Sequence, residues 1–369
     1  MFIKILLNKE LPVKNRVKNF FAYLSKRRGA KYGWDKRFKK VFELHPEYKK
    51  PITKEIEEIH KKAWSFFSKR INLNTLRVCT NISGEANPLF IPEEVFVADI
   101  EPTLNQDATA EFLTNKSFYE KWFPEGSFPK CIFHNIDGEW FNRELNPIPF
   151  SEIEKIISSI NYPVVFKPNI NSFGGKDVFF PTNLNELFGL VITQKNFVVQ
   201  EKIDQDPFLK KFNAAGLNTI RVCLYRSIKS NKIHVLNAAL RMGVGGSLDN
   251  ETAGGIVTLI NKNGELNGFA VDKLGSRFDI HPDSKLPFEG IIPDFKNLII
   301  LAKNIACKIF YDRLISLDIC KDAEGNWKVI EINLYGQTIR FAQYAGHPFF
   351  GEFTNEVINH CKQNHWALK

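Results

Sequence analysis

Leu314-Ile-Ser-Leu-Asp318-Ile-Cys320-Lys-Asp-Ala-Glu-Gly325-Asn-Trp327-Lys-Val-Ile-Glu331-Ile-Asn333 holds two short apolar runs, 314–320 and 327–333, on either side of a polar turn. The pattern predicts an antiparallel hairpin. Side chains on a strand alternate between faces, so Glu331 and Asn333 share one, and the neighbouring strand can bring Asp318 beside them. Three hard oxygen donors then converge. Mg²⁺ takes few protein ligands and completes its octahedron with water and substrate phosphates, so Asp318, Glu331 and Asn333 are the candidate metal donors. A phosphate-bearing partner is implied.

Upstream, Tyr162-Pro-Val-Val-Phe-Lys167-Pro-Asn-Ile-Asn-Ser172-Phe-Gly174-Gly175-Lys-Asp-Val-Phe-Phe180 reads as a strand ending in a lysine, then a loop with paired glycines, then a second strand. Glycines let backbone N–H groups approach an anion, and a lysine adds a point charge for phosphates. Lys167, Ser172, Gly174 and Gly175 are therefore candidate phosphate contacts. The segment is not a Walker loop, because the lysine precedes the glycines and G-x-x-x-x-G-K-[ST] is absent.

In order and spacing these parts resemble the ATP-grasp superfamily, and within it the sugar-transfer-associated group found with polysaccharide biosynthesis. Lys116 in Leu113-Thr-Asn-Lys116-Ser-Phe-Tyr119 is similar to the first nucleotide lysine of that family, and Lys167 to the second. Phe197-Val-Val-Gln200-Glu201-Lys202-Ile203 resembles the hinge that reads adenine, and Asn218-Thr-Ile-Arg221-Val222 the arginine strand. Asp318 with Glu331-Ile-Asn333 resembles the metal pair, and Asn250 with Gly254-Gly255 a loop beside the γ-phosphate. The resemblance covers about residues 85 to 360. Two positions depart from it. Gln200 stands where a second acid is common, and Leu334-Tyr335-Gly336 follows Asn333 where many members have a small residue and a proline.

The resemblance implies an α+β fold, two lobes clasping ATP, with Mg²⁺ as two ions. It also implies carboxylate–amine ligation through an acyl phosphate, joining an amino acid or other amine to a uronic-acid-type carboxylate of a sugar or sugar nucleotide in surface polysaccharide assembly. Arg221, Arg241 and Lys167 would stabilise the transferred phosphate and the acceptor carboxylate, with Arg340 an alternative anchor. A planar guanidinium binds such oxyanions through two N–H groups. Other readings are a kinase-like phosphotransferase and a non-catalytic, nucleotide-binding scaffold for glycosyltransferases.

With 369 residues and 44% hydrophobic content, the chain is long enough for more than one core. Three regions are expected: a helical module over 1–75, a lobe over 76–195 carrying the lysines and the glycine flap, and a lobe over 196–369 carrying hinge, arginine strands and metal site. Residues 53–71, with Thr53 as N-cap, 183–194 and 293–309 read as helices, and 76–79 and 268–274 as strands. Six scattered cysteines without C-x-x-C argue for reduced thiols and against a zinc site. No run of eighteen apolar residues occurs, and no signal segment is evident, so a cytoplasmic location is expected.

Charge is uneven. Residues 1–62 carry 18 Lys and Arg against 7 Asp and Glu, a net of +11, while the whole chain carries +9. Between Pro12 and Gly29 the residues Val13, Val17, Phe20, Phe21 and Leu24 recur at helical spacing among basic side chains. That is a basic amphipathic helix. It reads as packed on its own domain, or as a contact for the inner face of a membrane or for a glycosyltransferase. No nucleic-acid reader motif accompanies it.

Overall fold

The computed structural model describes residues 1–369 except 106, 171–176 and 247–253. Eleven strands are described: β1 Cys131–Ile136, β2 Glu139–Asn142, β3 Val164–Pro168, β4 Phe197–Glu201, β5 Thr219–Arg226, β6 Ile233–Met242, β7 Ile256–Ile260, β8 Ala270–Val271, β9 Arg277–Phe278, β10 Leu314–Lys321 and β11 Trp327–Asn333. They form a four-stranded sheet in the order β2-β1-β4-β3 and a seven-stranded sheet in the order β11-β10-β5-β6-β7-β8-β9. Every pairing is antiparallel. The hinge strand β4, expected in the C-terminal lobe, hydrogen-bonds between β1 and β3 of the smaller sheet.

Alternation builds both layers. On the small sheet, Phe133, Val164, Phe166, Phe197 and Val199 face one way and pack against Ile153 and Ile157 of helix Phe150–Ser159 and against Leu187 and Val191 of helix Leu184–Thr193. Asn183 caps the second helix by accepting the Glu186 N–H at 3.1 Å. On the large sheet, Ile220, Val222 and Leu224 of β5, Ala238, Leu240 and Met242 of β6, and Ile315, Leu317 and Ile319 of β10 cover helix Phe295–Cys307. The intervening positions, among them Arg221, Arg241 and Asp318, fall on the opposite face, where the polar chemistry collects.

The helical region differs from its sequence reading in three places. The basic helix runs on from Val13 to Leu44. The next, Lys54–Trp64, follows Thr53, whose side chain makes no capping bond, and stops short of residue 71. Residues 76–79 are not a strand; they lie inside helix Asn74–Ser83. Its buried Leu76, Cys79 and Ile82 recur every three residues and so share a helical face. Gly84 ends it at φ +82°, donating its N–H to Thr80 O at 2.8 Å. Leu76, Cys79 and Ile82 pack with Phe38, Val41, Phe90, Tyr344 and Val271, so these helices share a core with the large sheet. The expected strand over 268–274 shrinks to β8, because Asp272 Oδ1 accepts the N–H groups of Leu274 and Ser276 and turns the chain. The cysteines are free thiols, five of them buried.

One polar lock fastens the helices to the body. Asp99, fully buried, accepts the Tyr23 hydroxyl at 2.8 Å, pairs with Arg27, and shares a hydrogen bond with His365 Nε2 at 3.0 Å. Removing the carboxylate strands a largely buried guanidinium and a buried hydroxyl. Asp99→Ala is therefore expected to cost about 3–5 kcal/mol, read as a fall in the urea midpoint; an unchanged midpoint would count against the lock.

Candidate active site

The two sheets and the chain between them enclose a cavity of about 730 Å³. It brings together Lys116, Lys167, Gln200, Glu201, Lys202, Ile203, Arg221, Arg241, Asp318, Glu331 and Asn333, all of them singled out from sequence. Ser172, Gly174, Gly175 and Asn250 lie outside the described residues.

The register explains the convergence. Asp318 on the central strand β10 pairs directly with Glu331 of β11 on one side and with Arg221 of β5 on the other, while Ser316 pairs with Asn333. A row of charges thus crosses three strands. Arg221 grips Asp318 through two bonds, Nε to Oδ1 at 2.8 Å and Nη2 to Oδ2 at 2.7 Å, and Arg241 Nη1 reaches Oδ2 at 2.9 Å. The Asn333 amide lies 3.4 Å from the same oxygen. Burial alone would raise the Asp318 pKa, but Arg221 and Arg241 together hold it well below the usual carboxylate range. Burial would likewise lower the Arg221 pKa, and Asp318 reverses that and raises it. The sequence reading assigns the arginines to anions and the aspartate to metal; the structure joins all three in one cluster.

Lys116 opens a short 3₁₀ turn, Lys116–Phe118, whose first N–H donates to Asn169 O at 2.9 Å and so ties it to the end of β3. Lys116 is 3% exposed, and its ammonium lies 3.0 Å from Glu331. Lys130, by contrast, is exposed and pairs with Glu201 at 3.3 Å. Lys167, on β3, is buried; burial first, then the neighbouring Lys116, brings its pKa down to about 8. In the hinge, Gln200 is buried with its amide on Pro129 O and Cys131 Sγ, whereas Glu201 and Lys202 are exposed.

Two amides escaped the sequence reading. Gln337 donates to Asn333 O at 2.8 Å, accepts the Ser316 hydroxyl, and gives its backbone N–H to Glu101 Oε1 at 2.6 Å. Asn105 donates to Leu314 O and Leu334 O and accepts the N–H of Leu314 at 2.9 Å, bracing the hairpin that carries Asp318, Glu331 and Asn333. Lone buried amides have no sequence period; the Gly336-Gln337 turn after Asn333 was the one available signal.

A two-lobed α+β clasp around a cation-rich cavity, with helices added before it, is the class this architecture defines. Residues 182–357 match the sequence model of the family described as sugar-transfer associated ATP-grasp, so the resemblance holds over that stretch. No curated protein matches the chain. Among solved structures it is similar to N5-carboxyaminoimidazole synthase from Aspergillus clavatus with ADP (8% identity, TM-score 0.36, 67% of this chain and 51% of that one). It is similar also to the ATP-grasp ligase PsnB with minimal precursor (13%, 0.38, 69% and 62%) and to L-amino acid ligase from Bacillus licheniformis (14%, 0.36, 70% and 48%). This chain spans about half the length of the first of these.

Glu101, buried beneath the Gly336-Gln337 turn, has its pKa pushed up by burial to about 7. Its neutral form is favoured on folding, so that contribution is complete below about pH 4.5 and lost as pH rises through about 7. Glu101→Gln should therefore match the parent near pH 5 and exceed it at pH 8 by on the order of 3 kcal/mol, measured by urea unfolding at both pH values. A difference that does not change with pH would contradict the assignment.

Proposed function

We propose that this protein is an ATP-dependent ligase that activates a carboxylate as an acyl phosphate and joins it to an amine. The supporting observation is the charge of the cavity: among the described residues Lys116, Lys167, Arg221 and Arg241 gather there, largely buried, around the carboxylates of Asp318 and Glu331. Such an excess calls for a polyanion. A nucleoside triphosphate with its metal matches both the cations and the hard oxygens.

The donor set suits Mg²⁺, since Asp318 and Glu331 are register partners and the Asn333 amide lies within 3.4 Å of Asp318. When bound there, Mg²⁺ would neutralise phosphate charge. Every other role falls to the chain. Ile203, Leu217, Val165 and Ile330 offer apolar walls for a base beside the hinge. Lys116 and Lys167 supply positive charge for the phosphates, and Arg221 with Arg241 holds Asp318 in place while adding to the field on the transferred group. A carboxylate oxygen of the acceptor attacks the γ-phosphorus, the bond to the β–γ bridging oxygen breaks, and ADP leaves. The amine then adds to the acyl carbon, phosphate departs, and the amine proton passes to water. The described cavity needs no added base for that second step.

The acceptor in this reading is a uronic-acid-type carboxylate of a sugar precursor, and the amine an amino acid. Both the sugar-transfer association of the matched family and the basic cavity favour an acidic sugar. The decisive assay is phosphate release from Mg-ATP across uronic acids, sugar nucleotides and amino acids, with hydroxylamine as trap. Phosphate together with a hydroxamate that depends on one carboxylate supports the ligase. A phosphorylated acceptor formed without any amine requirement replaces it with a phosphotransferase, and ATP binding without turnover replaces it with a scaffold.

Two variants probe the site. Glu331→Gln is expected to lower phosphate release by about 100-fold or more with an unaltered circular dichroism spectrum; full turnover would remove Glu331 from the chemistry. Because Lys167 loses its proton near pH 8, nucleotide affinity should fall above that pH by up to about tenfold per unit. Lys167→Arg should flatten the profile in a fluorescent-nucleotide titration.

A further inference from the structure

The basic helix does not pack as its apolar pattern suggests. The pattern divides in two. Phe2 of helix Phe2–Leu6 meets Phe20 and Tyr23 of helix Val13–Leu44 at ring separations of 5.5 and 4.9 Å, and Ile5 and Tyr23 are wholly buried. Those contacts satisfy one face of the hairpin. On the other, Val13, Val17 and Phe21, spaced four residues apart and so in one stripe, remain 66%, 42% and 61% exposed. Ile3 and Leu6 on the shorter helix, with Leu7 at its C-terminal cap, form a second stripe and are exposed as well. Scattered apolar side chains are normal on a surface, but six on two adjoining helices call for an occupant.

The charge around them identifies it. Residues 1–30 hold eight Lys and Arg against the single acid Glu10. Lys4, Lys9, Lys14, Lys18, Lys26 and Arg28 are exposed, whereas Arg16 is turned inward onto the carbonyls of Leu6 and Leu11. A second copy of this chain would bring two such basic faces together, which like-charge repulsion opposes. We propose that this hairpin docks the protein on an anionic bilayer, with the apolar residues entering the headgroup boundary and the lysines meeting lipid phosphates. Long flexible lysines flanking aliphatic and aromatic knobs are the side-chain set that binds at such a boundary. No helix of the described residues is long and apolar enough to cross a membrane, so the attachment is superficial and reversible.

The hairpin would carry the catalytic lobes with it. Asn8 donates to Leu368 O at 2.8 Å, Asn19 to Lys369 O at 2.7 Å, and the Asp99 lock holds Tyr23 and Arg27. Docking therefore brings the cavity to the surface where a lipid-linked acceptor would be held, although attachment itself does not depend on what the cavity catalyses.

Sedimentation of the full chain with phosphatidylcholine vesicles, with and without phosphatidylglycerol, tests this. Binding should require the anionic lipid and weaken with added salt. Phe21→Glu, and independently Leu7→Glu, should each abolish it while leaving the thermal unfolding temperature and nucleotide binding unchanged. Lys14→Glu with Lys18→Glu should weaken it by more than about tenfold. Equal sedimentation with neutral vesicles, or full binding by both apolar variants, would overturn the proposal. So would the absence of vesicle binding alongside a dimer, or a complex with an acidic protein, that Phe21→Glu abolishes.

Discussion

Placing positive charge in a largely buried site is the constraint around which the rest of this molecule is arranged. Lys116, Lys167, Arg221 and Arg241 are each held away from bulk water, and each gives up hydration that neighbouring groups have to replace. Three of them lean on two carboxylates, and Lys167 pays for its position with a lowered pKa. Sheets supply the rigidity that keeps such an assembly from relaxing. Asp318 sits on an inner strand with a partner on either side, so its carboxylate cannot drift from the guanidiniums without disturbing two ladders.

Much of this was legible in the sequence where a repeating geometry underlies it. Alternation placed Glu331 and Asn333 on one face, and a polar turn of suitable length put Asp318 opposite. Lys167 was readable because a strand ends beside it. Register across non-neighbouring segments was not. Nothing in the sequence says that Arg221 will stand opposite Asp318 rather than opposite a phosphate, since 97 residues separate them. Residues 76–79 were misread because the apolar Leu76, Val78 and Cys79 around Arg77 fit a strand as well as a helix, and the deciding contacts come from Phe38, Val271 and Tyr344, far along the chain. The stripe from Val13 to Leu24 had the right period, but only packing against Phe2 shows which half of it faces inward.

Around the charged centre lies a frame of neutral amides. Asn105 holds the ends of β10 and the segment after β11, and Gln337 connects Asn333 with Ser316 and Glu101. Amides suit the task because they both donate and accept without adding charge to a region already crowded with it. The same region shows what happens when a carboxyl is used instead: Glu101 and Asp312 are both driven by burial toward a pKa of about 7. Positioning and ionisation are thus coupled beneath the turn that follows Asn333.

The fastening of the first helices has a consequence for the order of events during synthesis. Asn19 bonds to a carbonyl 350 positions further on, and Tyr23 and Arg27 close on Asp99 together with His365. A ribosome delivers these partners at widely separated times, so the basic hairpin emerges long before its seat exists. Phe2, Phe20 and Tyr23 then have only each other for shelter, and closing so long a loop is slow compared with local folding. The hairpin therefore waits undocked for partners that lie more than 300 positions further on, and like charge among its lysines opposes contact between two such hairpins.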